Sequence, residues 1–329
     1  MSRAIVGRAP TRLDFGGGWT DVAPYADDSG GAVCNLAITR YATATVASST
    51  SSSATHDSES SDALVRAALQ RAALPDARAR VASDFPIGAG LGGSSAAGVA
   101  LAGALAALRG EVLSPDALAD RSHRTEIDDL GVAGGFQDHY AAALGGALLL
   151  RYDGRVSAER LTLDPGLAET IARRVVLVYT GESRMSARTI TTVADACRAR
   201  EPRVCEALDS MKTLALAMAD ALRAADLDAL GSLIGEHWIH QRALHPSITT
   251  PRIDAIDEAA RRAGALGVKA LGASGGGCVM AVAADGGEDA VARALAPLGE
   301  RLAFSVDRTG FEVIAVLDDE HGVGLESGA

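Results

Sequence analysis

The run PIGAGLGGSSAA from Pro86 to Ala97, followed at once by an apolar helical pattern, constrains this chain more than any other stretch. Glycines at this density let the backbone bend until several N–H groups point one way, and a helix start adds unpaired N–H groups and the positive end of its dipole. Such a cradle takes an anion. Gly88, Ala89, Gly90, Leu91, Gly92 and Gly93 form the bend, and Ser94 and Ser95 place hydroxyls where a phosphate and a magnesium ion meet. A nucleoside triphosphate is the natural reading. No Lys-Ser or Lys-Thr follows the glycines, and the spacing of Gly88, Gly90 and Gly92 departs from the dinucleotide fingerprint, so neither common phosphate motif applies. Taken alone, the run reads equally as a tight turn before a core helix.

The rest of the chain decides between these readings. Its 329 residues suffice for two domains sharing a cleft, at roughly 100–200 residues per domain. A net charge of −11 with no block of Lys or Arg argues against a nucleic-acid surface, so a phosphorylated ligand needs a local site. Aromatic residues make up only 4%, which predicts a core of Ala, Leu and Val. Cys34, Cys197, Cys205 and Cys278 have no C-x-x-C spacing and read as reduced thiols. Arg3, Arg8, Arg12 and Asp14 interrupt any secretory core, and the apolar stretch 96–108 is too short to span a bilayer. The expectation is a cytoplasmic protein without a membrane partner; the sequence leaves a homodimer open.

Periodicity predicts strands at 3–8, 32–38 and 41–47, a polar mobile loop at 48–61, and helices at 62–73, 95–109, 115–130 and 135–144. Ser114 is the expected N-cap of the third helix, with Pro115 in its first position. A hairpin (146–152 and 156–163) follows, and after 165–171 the pattern restarts with a strand at 174–180, long helices over about 187–224 and 226–244, and a helix near 251–264. The remainder reads as strands 268–272 and 278–284, helix 287–298, strands 301–306 and 312–317, and a frayed acidic tail. The restart divides the chain into 1–170 and 171–329, and the mixture of elements predicts an α+β fold rather than a doubly wound sheet.

Two further glycine clusters flank the first. In APTRLDFGGGWTD a strand ends in Gly16, Gly17 and Gly18, after which Thr20 and Asp21 offer polar groups suited to sugar hydroxyls. In KALGASGGGCVMAV, from Lys269 to Val282, a loop holding Gly275 and Gly276 joins two strands. His237 and His240 lie three apart on a helix, which is not H-E-x-x-H spacing, and they read as surface histidines with no zinc site.

Three glycine clusters in this order resemble those of the GHMP kinases, the superfamily of galactokinase, homoserine kinase, mevalonate kinase and phosphomevalonate kinase, and the likeness spans Arg8 to about Met280. Within it, FGGGWTD, EIDDLGVAGGFQDHYAAALGG (126–146), YTGESRMSA (179–187) and HPSITTPRIDAIDEAARRAGALGVKALGASGGG are most similar to the D-glycero-D-manno-heptose 7-phosphate kinases, and next to the kinase domain of bacterial L-fucose kinases. Trp19 departs toward the fucose type, and Ser274 and Cys278 depart from the usual third motif.

The resemblance implies an N-terminal domain like ribosomal protein S5 that binds ATP, a ferredoxin-like C-terminal domain, and phosphorylation of an anomeric sugar hydroxyl with ATP and Mg²⁺. For the heptose type the product is a 1,7-bisphosphate that feeds nucleotide-heptose synthesis. It further implies that Asp138 sits beside the acceptor hydroxyl with Arg12 paired to it, that Ser95 and Glu126 hold magnesium, and that Gly17, Gly18, Thr20, Asp21, Gly135, Gly275, Gly276 and Arg184 bind substrate, Arg184 or Arg188 taking a distal phosphate. Simpler readings compete: a helix cap for Asp138, an exposed helix charge for Glu126, a surface arginine for Arg184. Two other functions compete as well, a free-sugar 1-kinase and a binding protein that kept the fold without catalysis.

Overall fold

In the computed structural model, which describes residues 3–48, 62–182 and 187–318, the strands form two antiparallel sheets. The strands are β1 (Arg3–Gly16), β2 (Gly31–Ala47), β3 (Arg78–Ser83), β4 (Ala147–Tyr152), β5 (Val156–Leu161), β6 (Val175–Tyr179), β7 (Ala265–Ala270), β8 (Cys278–Ala283), β9 (Glu300–Arg301) and β10 (Glu312–Asp318). The helices are α1 (Tyr25–Ser29), α2 (Asp62–Arg71), α3 (Gly93–Leu108), α4 (Pro115–Arg124), α5 (Gln137–Leu144), α6 (Pro165–Arg174), α7 (Ala187–Arg198), α8 (Pro202–Arg223), α9 (Leu227–Leu244), α10 (Pro251–Arg262) and α11 (Glu288–Leu295). The first sheet has the order β10-β1-β2-β4-β5 with β3 beside β2, and the second has β7-β8-β6-β9. The α+β class holds.

β1 runs past its expected end because the pairing with β2 shifts register between Pro10 and Thr11, a place where proline's missing N–H is tolerated. The shift also exchanges faces. Ile5 and Ala9 pack with Val46 and Ala42 against α3, whereas Leu13 and Phe15 pack with Leu36 and Ile38 against Met218, Leu222 and Ile234 of α8 and α9. Strand alternation therefore turns Arg12 and Asp14 away from that second core. α3 is buried from Ser95 through Ala106, as its Ala-rich, apolar sequence requires.

Three expectations change. The helix drawn over 187–224 is two helices, broken where Arg200 takes a φ of 53° and Pro202 opens α8 at its first turn. Of the strand expected at 301–306 only Glu300–Arg301 forms, because the chain then crosses between sheets, Leu302 donating to Leu177 (2.9 Å) and Thr39 to Ser305 (2.9 Å). And β10, which belongs by sequence to the second half, pairs with β1, Arg3 opposite Asp318 and Arg8 opposite Glu312. At that strand the division into 1–170 and 171–329 does not follow the sheets. The expected loop at 48–61 and the tail lie almost wholly outside the described residues.

Candidate active site

The glycine run does open a helix. Gly92 takes a φ of 76° at the N-cap of α3, a region that favours glycine, and no side chain caps the N–H groups that follow. Ser94 is exposed at this end and Ser95 is buried. A Cβ at Gly92 would crowd the Asp138 carboxyl at about 2.9 Å, so the same glycine lets the carboxylate reach the helix start. Arg12 holds Asp138 there: its Nε donates to Asp138 Oδ1 at 2.7 Å and its Nη1 donates to the Gly90 carbonyl at 2.7 Å. The Arg12 side chain is 4% exposed and that of Asp138 25%, so the cation is fixed and the carboxylate faces outward. A forked, charge-assisted contact of this kind sets orientation as well as charge.

Ser95 Oγ donates to Glu126 Oε2 at 2.9 Å. Glu126 is buried, so the reading as an exposed helix charge is excluded. It stands on a π-helical turn, Thr125–Asp129, that continues α4; such turns recur at functional sites. Sequence reasoning missed its other partner, His139, whose Nε2 lies 3.0 Å from Glu126 Oε2 while Nδ1 meets Ser122 Oγ at 3.0 Å. Burial by itself would raise the Glu126 carboxyl, but His139 and the hydroxyls of Ser94 and Ser95 hold it below the usual value. Its spacing held the signal: Asp138 and His139 adjoin at the start of α5. One carboxylate and one hydroxyl suit magnesium, which takes the rest of its shell from phosphate and water. No larger metal-binding cluster occurs among the described residues.

At the end of β1, Gly17 donates to His237 Nε2 at 2.8 Å, and a Cβ on Gly18 would overlap Asp14 Oδ2 and approach Gln137 Nε2. Asp21 accepts the N–H of Gln137 at 3.0 Å and lies directly against Gly135, where a Cβ would overlap its carboxylate. Burial, with Asp138 and Asp14 nearby, pushes Asp21 up to about 6. Thr20 is fully buried and its hydroxyl is engaged with the Gly17 carbonyl (2.7 Å) and the Ala32 N–H (3.2 Å). Its expected contact with a sugar is thus replaced by a structural one, holding the turn. Gly275, donating to Ile248 at 2.9 Å, and Gly276 are buried in the third loop, which meets the phosphate loop through Cys278 N–H to the Ala89 carbonyl at 2.7 Å. Arg184 and the Arg188 side chain lie outside the described residues.

His237 is not a surface histidine. It is fully buried on α9, and because its Nε2 accepts from Gly17, the proton resides on Nδ1. Burial, reinforced by the charge of Lys269, pushes it down to about 3. In the unfolded chain it titrates near 6.5, so between these values the unfolded state binds more protons. The stability contributed by neutral His237 is complete above about pH 6.5 and is lost as pH falls toward 3, by about 1.4 kcal/mol per unit. Urea unfolding at about pH 7.5 and about pH 5 should therefore differ by about 2 kcal/mol less in His237→Gln than in the native chain. His123, pushed down to about 4, is present in both proteins and cancels. An equal pH slope in the two would refute the assignment.

The model for the N-terminal domain of GHMP kinases matches residues 62–146, and the model for their C-terminal domain matches 218–300. Together they take up half of the chain. The chain belongs to the GHMP kinases. As a member it is a phosphotransferase of an ATP-dependent kinase family. Over most of its length this GHMP kinase is similar to D-glycero-alpha-D-manno-heptose 7-phosphate kinase of Campylobacter jejuni, 27% identical over 300 residues covering 84% of this chain and 88% of that one. It is also similar to the L-fucokinase/L-fucose-1-P guanylyltransferase of Bacteroides fragilis, 27% identical over 334 residues, 85% of this chain but 35% of that longer protein. The crystal structure of a D-glycero-D-manno-heptose 1-phosphate kinase from Bacteroides thetaiotaomicron superposes with a TM-score of 0.74 at 24% identity, covering 98% of this chain and all of that one, which supports the fold. No helix among the described residues is long and apolar enough to cross a membrane.

Proposed function

We propose that this GHMP kinase transfers the γ-phosphoryl group of Mg-ATP to the anomeric hydroxyl of D-glycero-D-manno-heptose 7-phosphate, giving the 1,7-bisphosphate. The observation that carries the reading is the Arg12–Asp138 contact of 2.7 Å at the start of α3, with the Gly18–Asp21–Gln137 turn beside it. The phosphates of ATP lie on the loop from Gly88 to Ser95. Asp138 orients the acceptor hydroxyl and takes its proton as the O–P bond forms and the bond to ADP breaks; Arg12 keeps Asp138 in place and offsets charge on the transferring group. Ser95 and Glu126 would hold magnesium, which would offset phosphate charge. Asp21 accepts a ring hydroxyl at the end of β1. The heptose assignment rests on the likeness to the Campylobacter jejuni enzyme.

Trp19 favours a second reading, a free-sugar 1-kinase of the L-fucose kind, and the Bacteroides fragilis relative supports it. ADP release with fixed Mg²⁺ and ATP, measured against heptose 7-phosphate, L-fucose, galactose and mevalonate, separates the readings. Turnover on heptose 7-phosphate alone is expected. Preference for an unphosphorylated sugar would move the assignment to the second reading, and turnover on none would leave a GHMP fold used for binding.

A further inference from the structure

Lys269 is fully buried, a costly place for an ammonium, and neither the glycine loops nor the Arg12–Asp138 contact uses it directly. It stands on β7 with no exposed surface, and its Nζ donates to the Asp14 backbone carbonyl at 2.7 Å and to Asp14 Oδ2 at 2.6 Å. Asp14 lies on β1, two residues beyond Arg12 and therefore on the same face. Burial alone would raise the Asp14 carboxyl, but Lys269, with Arg12 behind it, holds it below the usual value, while burial pulls the Lys269 ammonium down. A buried ion pair adds little stability over apolar side chains of the same volume; what it can add is one defined arrangement.

That arrangement reaches all three glycine clusters. Asp14 Oδ2 lies directly under Gly18, sharing the space that a Cβ would fill with Gln137 Nε2, and Gln137 immediately precedes Asp138. One residue past β7 the chain enters the third glycine loop, where the Leu271 carbonyl comes within about 2.7 Å of a Cβ built on Gly90. Gly90 in turn accepts from Arg12. The ion pair thus ties the strand of the second sheet that supports the third loop to the strand of the first sheet that carries Arg12. Among the described residues, Asp14 Oδ1 has no hydrogen-bond partner and Lys269 is the side chain that hydrogen-bonds this carboxylate.

We propose that Lys269 is a positioning residue for phosphoryl transfer: through Asp14 it sets the Gly16–Gly18 turn and the Arg12–Asp138 contact relative to the phosphate loop. This rests on the kinase reading for its effect on rate, and on geometry alone for its effect on the turn. A displacement of about 1 Å between reacting groups is enough to cost about 100-fold in rate.

The single change Lys269→Met leaves the Asp14 charge buried without a partner and is expected to lower Tm sharply, which tests only folding. The informative variant is the double change Asp14→Asn with Lys269→Met, which removes both charges at similar volume. Its Tm is expected to stay within a few degrees of native, with kcat about 10- to 100-fold lower on whichever acceptor the native chain turns over and the KM for ATP within about twofold. Amide hydrogen exchange of the 16–19 segment is expected to rise about tenfold, a readout that needs no acceptor. A folded double variant with native kcat and native exchange would overturn the proposal, since a merely structural pair leaves both unmoved. If the native chain used none of the four acceptors, the exchange result alone would decide, so failure of the substrate reading and failure of this one are separate.

Discussion

Asp138→Asn should yield a folded protein that binds ATP as the native chain does and turns over about 10³-fold more slowly. The amide keeps an oxygen for Arg12, so the 2.7 Å contact and the fork on Gly90 survive, while the capacity to take a proton is gone. Asp138→Ala goes further. The Arg12 guanidinium, 4% exposed, would keep only its bond to the Gly90 carbonyl, and stability should fall by about 3 kcal/mol on top of the lost rate. Comparing kcat, ATP affinity and urea midpoint across the two variants separates chemistry from support. Native kcat in Asp138→Asn would reduce Asp138 to a structural partner of Arg12; the helix-cap reading is already excluded, because α5 is entered through Phe136 and no side chain caps it.

Arg12→Lys is the second large effect, and formal charge does not predict it. Arg12 meets Asp138 and the Gly90 carbonyl at once through a rigid planar fork. A lysine ammonium, a single point on a flexible stem, cannot hold both at the same spacing. With Asp138 free to swing and the phosphate loop released at Gly90, kcat should drop about 100-fold at saturating ATP, the scale of losing one preorganised donor. The measurement is steady-state kinetics at fixed Mg²⁺. A loss below about threefold would mean that charge alone, and not the fork, does the work.

Much of this arrangement is legible in residue order because its parts are local. The glycine run must bend, the apolar segment after it must be buried, and Ser114 followed by Pro115 must start a helix; the structure has Ser114 Oγ accepting from Ala117 at 3.2 Å. The Arg12–Asp138 contact is legible only through family likeness, since 126 residues separate the two. What escaped was set by tertiary burial. His237 reads as a helix-surface residue because its spacing to His240 fits no metal motif, yet the imidazole is enclosed against Gly17. The Lys269–Asp14 contact joins residues 255 apart, and nothing in the residue order signals it. Thr20 offers the same hydroxyl to a sugar or to its own backbone, and only the turn geometry decides for the backbone. Trp19 holds a φ of 83° where glycine is the natural choice, a tension visible in the sequence as a departure and in the structure as its backbone cost.

The pairing of β10 with β1 carries a consequence for synthesis. β1 is made first among the described strands and β10 last, and the edge from Arg3 to Arg8 stays open until Glu312–Asp318 arrives to cover it. Arg12 and Asp14 sit on that same strand, and Lys269, which fixes Asp14, is itself made late. A stalled, half-length product would therefore hold the glycine cradle with Arg12 and Asp138, but without Lys269, the third glycine loop or the strand that covers the edge of β1.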